Sequence, residues 1–63
     1  MNRKPVVGQR VKVEDYDTST VPHRGAVGTV VRTSSDGHEL DTKVYLKSVR
    51  MAVWYSHREL HPA

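Results

Sequence analysis

The chain has no cysteine. It can therefore build neither a disulfide framework nor a thiolate metal site, and a cytoplasmic setting is expected. It has no long apolar run, so no membrane-spanning segment is expected. Its first residues, Met1-Asn2-Arg3-Lys4-Pro5-Val6-Val7-Gly8, carry two basic side chains but lack the apolar centre of a signal peptide, and secretion is not expected. Internal repeats and low-complexity tracts are missing as well. With 63 residues there is room for one domain, whose core must be thin because small domains bury a smaller share of their surface.

What is present is charge of one sign in excess. Ten Lys and Arg stand against seven Asp and Glu, for a formal net charge of +3. In so short a chain that balance favours anionic partners, nucleic acid among them.

Alternation supplies the local structure. In Gln9-Arg10-Val11-Lys12-Val13 the valines point one way and the basic residues the other, as on a half-buried strand. Pro5 cannot donate a ladder hydrogen bond, so pairing is expected to begin after it. Residues 14–24 read as a long loop, rich in Asp, Ser and Thr, with Val21-Pro22 forcing an extended step. Such a loop either binds a partner or wraps one open end of the fold. Gly25 and Gly28 bracket the next turn, and Thr29 to Thr33 forms the second strand, with Val30 inward. Arg32 shares the parity of Val30, which requires a bulge or a rim position. Ser34-Ser35-Asp36-Gly37 is a hairpin turn signal, and residues 38–41 complete that loop. Val44 and Leu46 point inward from a third strand. Met51, Val53 and Tyr55 do so from a fourth, after a turn at 48–50 that no Gly, Asn or Pro announces. The spacing of Tyr45, Val49, Ala52 and Val53 also admits one amphipathic helix over 42–55, but three valines and three aromatics in that span favour strands. Ser56 followed by Glu59 forms a capping box for one 3₁₀ turn, and Leu60 returns to the core in a short last strand. The expected core is Val11, Val13, Val27, Val30, Val44, Leu46, Val53, Tyr55 and Leu60.

Three segments, V-G-Q-R-V-K-V at 7–13, R-G-A-V-G-T-V-V at 24–31 and V-W-Y-S-H-R-E-L at 53–60, give the whole an order of strand, long loop, glycine turn, three strands, 3₁₀ turn and last strand. That order resembles an SH3-like small β-barrel of about five antiparallel strands. A flexible arm at 1–7 would precede a single barrel domain at 8–61. The pattern is similar to KOW and Tudor-like modules, which bind nucleic acid or protein tails. It is also similar to small accessory subunits: the variable chain of ferredoxin–thioredoxin reductase, the ferredoxin-docking subunit of photosystem I, and nitrogenase accessory proteins of the NifZ type. A plasmid-type dihydrofolate reductase uses the same barrel, but its pore-lining V-Q-I-Y segment is absent and Val53-Trp54-Tyr55 stands in its place. The shared residues are glycines and core valines, so the resemblance implies fold more than function.

Catalytic and metal signatures are weak. His57 and His61 are four apart, as two ligands on a helical face would be, but Arg58 stands where a metalloprotease motif needs Glu and Pro62 ends the turn. Glu14, Asp15 and Asp17 fit no calcium loop and have no nucleophile–base pair nearby. Neither an enzyme nor a metal or cofactor site is expected. The leading expectation is a binding module for nucleic acid. Arg10, Lys12, Arg32, Lys43, Lys47 and Arg50 would meet phosphates and Tyr45 and Trp54 would stack on bases, with steep salt dependence and little sequence preference. The alternative is an accessory or adaptor subunit that docks a protein through Tyr16, Asp17, Val21 and His23 of the 14–24 loop together with the Trp54 side. Self-association into a homo-oligomer is a third expectation, because short open strand edges invite pairing.

Overall fold

A computed structural model describes residues 3–14 and 22–63. Five strands form one antiparallel sheet: β1 (Arg10–Val13), β2 (Val27–Thr33), β3 (Thr42–Leu46), β4 (Met51–Tyr55) and β5 (Leu60–Pro62), with a 3₁₀ turn at His57–Glu59 before the last. The spatial order is β4-β3-β2-β1-β5, every neighbour antiparallel. This is the all-β, SH3-like small-barrel arrangement expected from the order of elements. Residues 42–55 are two strands and not a helix. Among the described residues no helix is long and apolar enough to cross a membrane.

The alternation of each strand decides what is buried. Val11 and Val13 of β1, Val30 of β2, Val44 and Leu46 of β3, Tyr55 of β4 and Leu60 of β5 make up the core. Val53 and Ala26 pack against it from partly buried positions. Val27 departs from expectation: it is 39% exposed. The reason is parity. β2 begins two residues earlier than the sequence implies, and it is Gly28 that faces inward, opposite Leu46 on one side and Val11 on the other. A Cβ on Gly28 would lie 2.6 Å from Val44 Cγ1 and 2.9 Å from Leu46 Cδ2, and closer still to the Tyr45 carbonyl oxygen. Glycine is required there for close approach, not for a turn.

The ladder of β2 and β3 slips between Val30 and Arg32. Val31 is the extra residue, and both Val31 and Arg32 are exposed. The bulge thus resolves the parity of Arg32. The 47–50 turn closes without glycine because Arg50 itself takes a left-handed backbone, φ 53°. Ahead of β1, Gly8 N–H donates to the Val30 carbonyl at 2.8 Å and Val30 N–H to the Gln9 carbonyl at 2.9 Å, which carries the pairing of β2 past the end of β1. Pro5 is buried.

At the other end of the chain the capping box forms. Glu59 accepts from Ser56 N–H at 3.0 Å and Ser56 Oγ accepts from Arg58 N–H at 3.3 Å. Tyr55 donates its hydroxyl proton to the Pro22 carbonyl at 2.7 Å, which ties β4 to the 22–25 turn. Burial first, and Glu59 second, raise the Tyr55 phenol above its ordinary pKa.

Candidate functional site

The outward face of the sheet follows from the register. Trp54 stands opposite Lys43, and Lys43 opposite Arg32, in one row across β4, β3 and β2. The next row on the same face is Ala52, Tyr45, Thr29 and Arg10. A third row, one further repeat along β1 and β2, sets Val27 opposite Lys12 and Lys12 opposite His61. Rows on one face are two residues apart, so the three span about 13 Å along the strands. Lys47 and Arg50 are exposed in the 47–50 turn, at the end of the sheet where Lys12 lies.

The face therefore gathers Arg10, Lys12, Arg32 and Lys43 with Tyr45 and Trp54. Arg10, Lys12 and Arg32 are exposed, Tyr45 is 40% exposed, and Lys43 and Trp54 are half-buried. The Lys43 ammonium sits 5.9 Å from the centroid of the Trp54 ring, a cation–π contact near the outer limit of that interaction. Among the described residues no strand position carries a carboxylate: Glu14, Asp36, Glu39, Asp41 and Glu59 all lie in loops or in the 3₁₀ turn. Every charged Lys, Arg, Asp or Glu side chain on the strands is thus a cation, while the described anions lie off the strands together with Arg3, Lys4, Arg24, Lys47, Arg50 and Arg58.

The alternative docking set is only partly visible. His23 lies exposed in the 22–25 turn with a left-handed backbone, φ 58°, while Tyr16, Asp17 and Val21 fall outside the described residues, as does the Asp15–Asp17 part of the acidic loop cluster.

A second cluster has no counterpart in the sequence reading. Asp41, with a side chain 6% exposed, accepts from His57 Nδ1 at 2.7 Å through Oδ2; its Oδ1 accepts from His57 N–H at 2.9 Å and from the Thr42 hydroxyl at 3.0 Å. The carboxylate is an acceptor only, so His57 carries its proton on Nδ1. Lys4 Nζ approaches the same Oδ2 at 3.7 Å. The Asp41 backbone joins in: its N–H donates to the Tyr55 carbonyl and its carbonyl accepts from Ser34 N–H. Burial alone would raise the Asp41 pKa; the hydrogen bonds from His57, Thr42 and the backbone outweigh it and hold the carboxyl below its ordinary value. One residue thus fastens the 34–41 loop, the start of β3, the 3₁₀ turn and Lys4 together. The partners are sixteen residues apart, and no local pattern announces such a pairing.

Two depressions flank this clamp. One of about 440 Å³ is lined by Ser34, Asp36, His38, Glu39, Leu40 and Trp54. The other, about 290 Å³, shares His38 and Glu39 and continues to Asp41, Ser56, His57 and Arg58. Leu40, at its loop position, is 53% exposed. Asp36 is occupied with its own turn: it accepts from the Ser34 hydroxyl at 2.7 Å and from His38 N–H at 3.2 Å, bonds that lower its pKa.

No family model matches this chain, and no curated protein and no solved structure matches it.

Proposed function

We propose that the protein is a non-catalytic binding module that holds single-stranded nucleic acid against the outward face of its sheet. The observation that carries the reading is the segregation of charge. Arg10, Lys12, Arg32 and Lys43 share a face with Tyr45 and Trp54, and none of the described carboxylates lies on a strand. Cations on such a face neutralise phosphates and release counterions, and aromatic rings between them offer stacking surfaces that any base can use. Lys47 and Arg50 extend the track beyond the sheet at the Lys12 end. A face of this size accommodates roughly four nucleotides, the lower end of the range for small nucleic-acid-binding barrels.

Trp54 is the only tryptophan, so its fluorescence reports on the face directly. Titration with short single- and double-stranded DNA and RNA, at low and at moderate salt, is expected to perturb its emission and raise the anisotropy of labelled strands, with binding lost as salt rises. Absence of binding to every strand at low salt would refute the proposal.

A further inference from the structure

We propose that the depression beside Trp54 is a reading site for one unpaired guanine base. The inference rests on the nucleic-acid reading above and deepens it. The row Trp54–Lys43–Arg32 ends at Trp54, and Trp54 also lines the 440 Å³ depression with Leu40, His38 and Glu39. A strand that follows the cationic face therefore arrives at a recess with an apolar and aromatic wall, the setting in which splayed-out bases stack.

The polar group inside the recess selects among the bases. Two carboxylates line it. Asp36 is held by Ser34 and by the His38 backbone, with the His38 ring 3.6 Å away. Glu39 is exposed and lines both depressions, and among the described residues neither hydrogen bonds nor ion pairs hold it. Elsewhere a carboxylate beside a phosphate track repels its ligand, so its presence here asks for a donor on the base. An ionised carboxylate only accepts, and it has two oxygens. The Watson–Crick edge of guanine offers two adjacent donors, N1–H and the N2 amino group, in the spacing of a bidentate pair. Adenine and cytosine each set one amino donor beside a ring acceptor, and uracil sets its one donor between two carbonyls. Only guanine presents nothing but donors to Glu39 along the two positions that a carboxylate spans. The continuation of the recess toward Arg58 places a cation beyond the base, on the side where the next phosphate can lie.

The test uses ten-residue oligouridine strands with guanine, inosine, adenine or uracil at one central position, titrated against the intact protein at one low salt concentration by anisotropy and Trp54 emission. Inosine keeps N1–H and lacks the amino group. The guanine strand is expected to bind about tenfold more tightly than the inosine strand, a difference typical of one bidentate contact. In Glu39→Gln that ratio is expected to fall close to one, because the amide presents a donor where the second acceptor stood. The ratio is internal to each variant, so a general change in affinity does not affect it. Equal binding of guanine and inosine strands by the wild-type protein, or a ratio kept in Glu39→Gln, overturns the reading site while the cationic face stands. Failure of all four strands to bind overturns both.

Discussion

Removing the Asp41 carboxylate is expected to cost more stability than removing any other polar side chain of the described residues. Asp41 is almost wholly buried and accepts three hydrogen bonds, two of them from His57 and one from the fully buried Thr42 hydroxyl. Bonds to an ionised acceptor contribute about 1.5–3 kcal/mol each when buried, and neutral ones about 1 kcal/mol. The bonds share one carboxylate and are not additive, so Asp41→Ala should cost about 3–5 kcal/mol. A domain of this size has a total stability of that same order, roughly 3–5 kcal/mol, so the alanine variant should be largely unfolded at 25 °C. Asp41→Asn is the finer probe. Its carbonyl can replace Oδ1 toward His57 N–H and Thr42, while its amide faces His57 Nδ1 and forces the other tautomer. A cost of about 1.5 kcal/mol, or roughly 6–12 °C in melting temperature, is expected for it. The assay is thermal unfolding followed by circular dichroism and by Trp54 emission. An Asp41→Ala protein that melts within a couple of degrees of wild type (about 2 °C or less on the scale just given) would refute the account of this clamp.

Three further outcomes follow from the geometry. Gly28→Ala should destabilise by about 3 kcal/mol in denaturant titration, since the new methyl group meets the β3 backbone as well as Val44 and Leu46 and backbone cannot yield. Arg50→Asn should raise the melting temperature by about 2–4 °C, because asparagine tolerates the left-handed backbone that arginine takes there at some cost. Acid should unfold the wild type through Asp41. Its folded pKa lies below the unfolded one, so its contribution is complete above the ordinary carboxylate range and is lost as pH falls through the lowered value. Melting temperatures from about pH 6 to about pH 2 should therefore converge for wild type and Asp41→Asn at the acid end.

The fold was legible because its signals are local. Two-residue alternation in β1 and β3, the Asp36-Gly37 turn and the Ser56/Glu59 cap each need only a few neighbouring residues, and each appears in the structure. The bulge at Val31 is one of the two arrangements, a bulge or a rim position, that the parity of Arg32 left open. Val27 was misplaced because a glycine has no side chain to declare its facing: Gly28 takes the inward position that the valine pattern suggested for its neighbour. Of the side chains named from alternation, Arg10, Lys12, Lys43, Tyr45 and Trp54 share one face of the sheet, since strand parity and antiparallel pairing suffice to put them there, while Lys47 lies beyond β3 in the 47–50 turn. The Asp41–His57 clamp and the Glu39–Trp54 recess were not legible. Both depend on how the 34–41 loop folds back over β4 and the 3₁₀ turn, a tertiary matter without periodic signature.

The most direct test of the cationic face is the slope of log affinity against log salt concentration for an oligouridine strand. With Arg10, Lys12, Arg32 and Lys43 on the sheet and Lys47 and Arg50 beyond it each neutralising one phosphate, a slope of about −4 is expected for a single strand. In the double variant Arg10→Gln/Arg32→Gln, two exposed positions outside the core, the slope should relax to about −3. A wild-type slope near zero, or one that the double variant leaves unchanged, would contradict the claim that this face carries the nucleic acid.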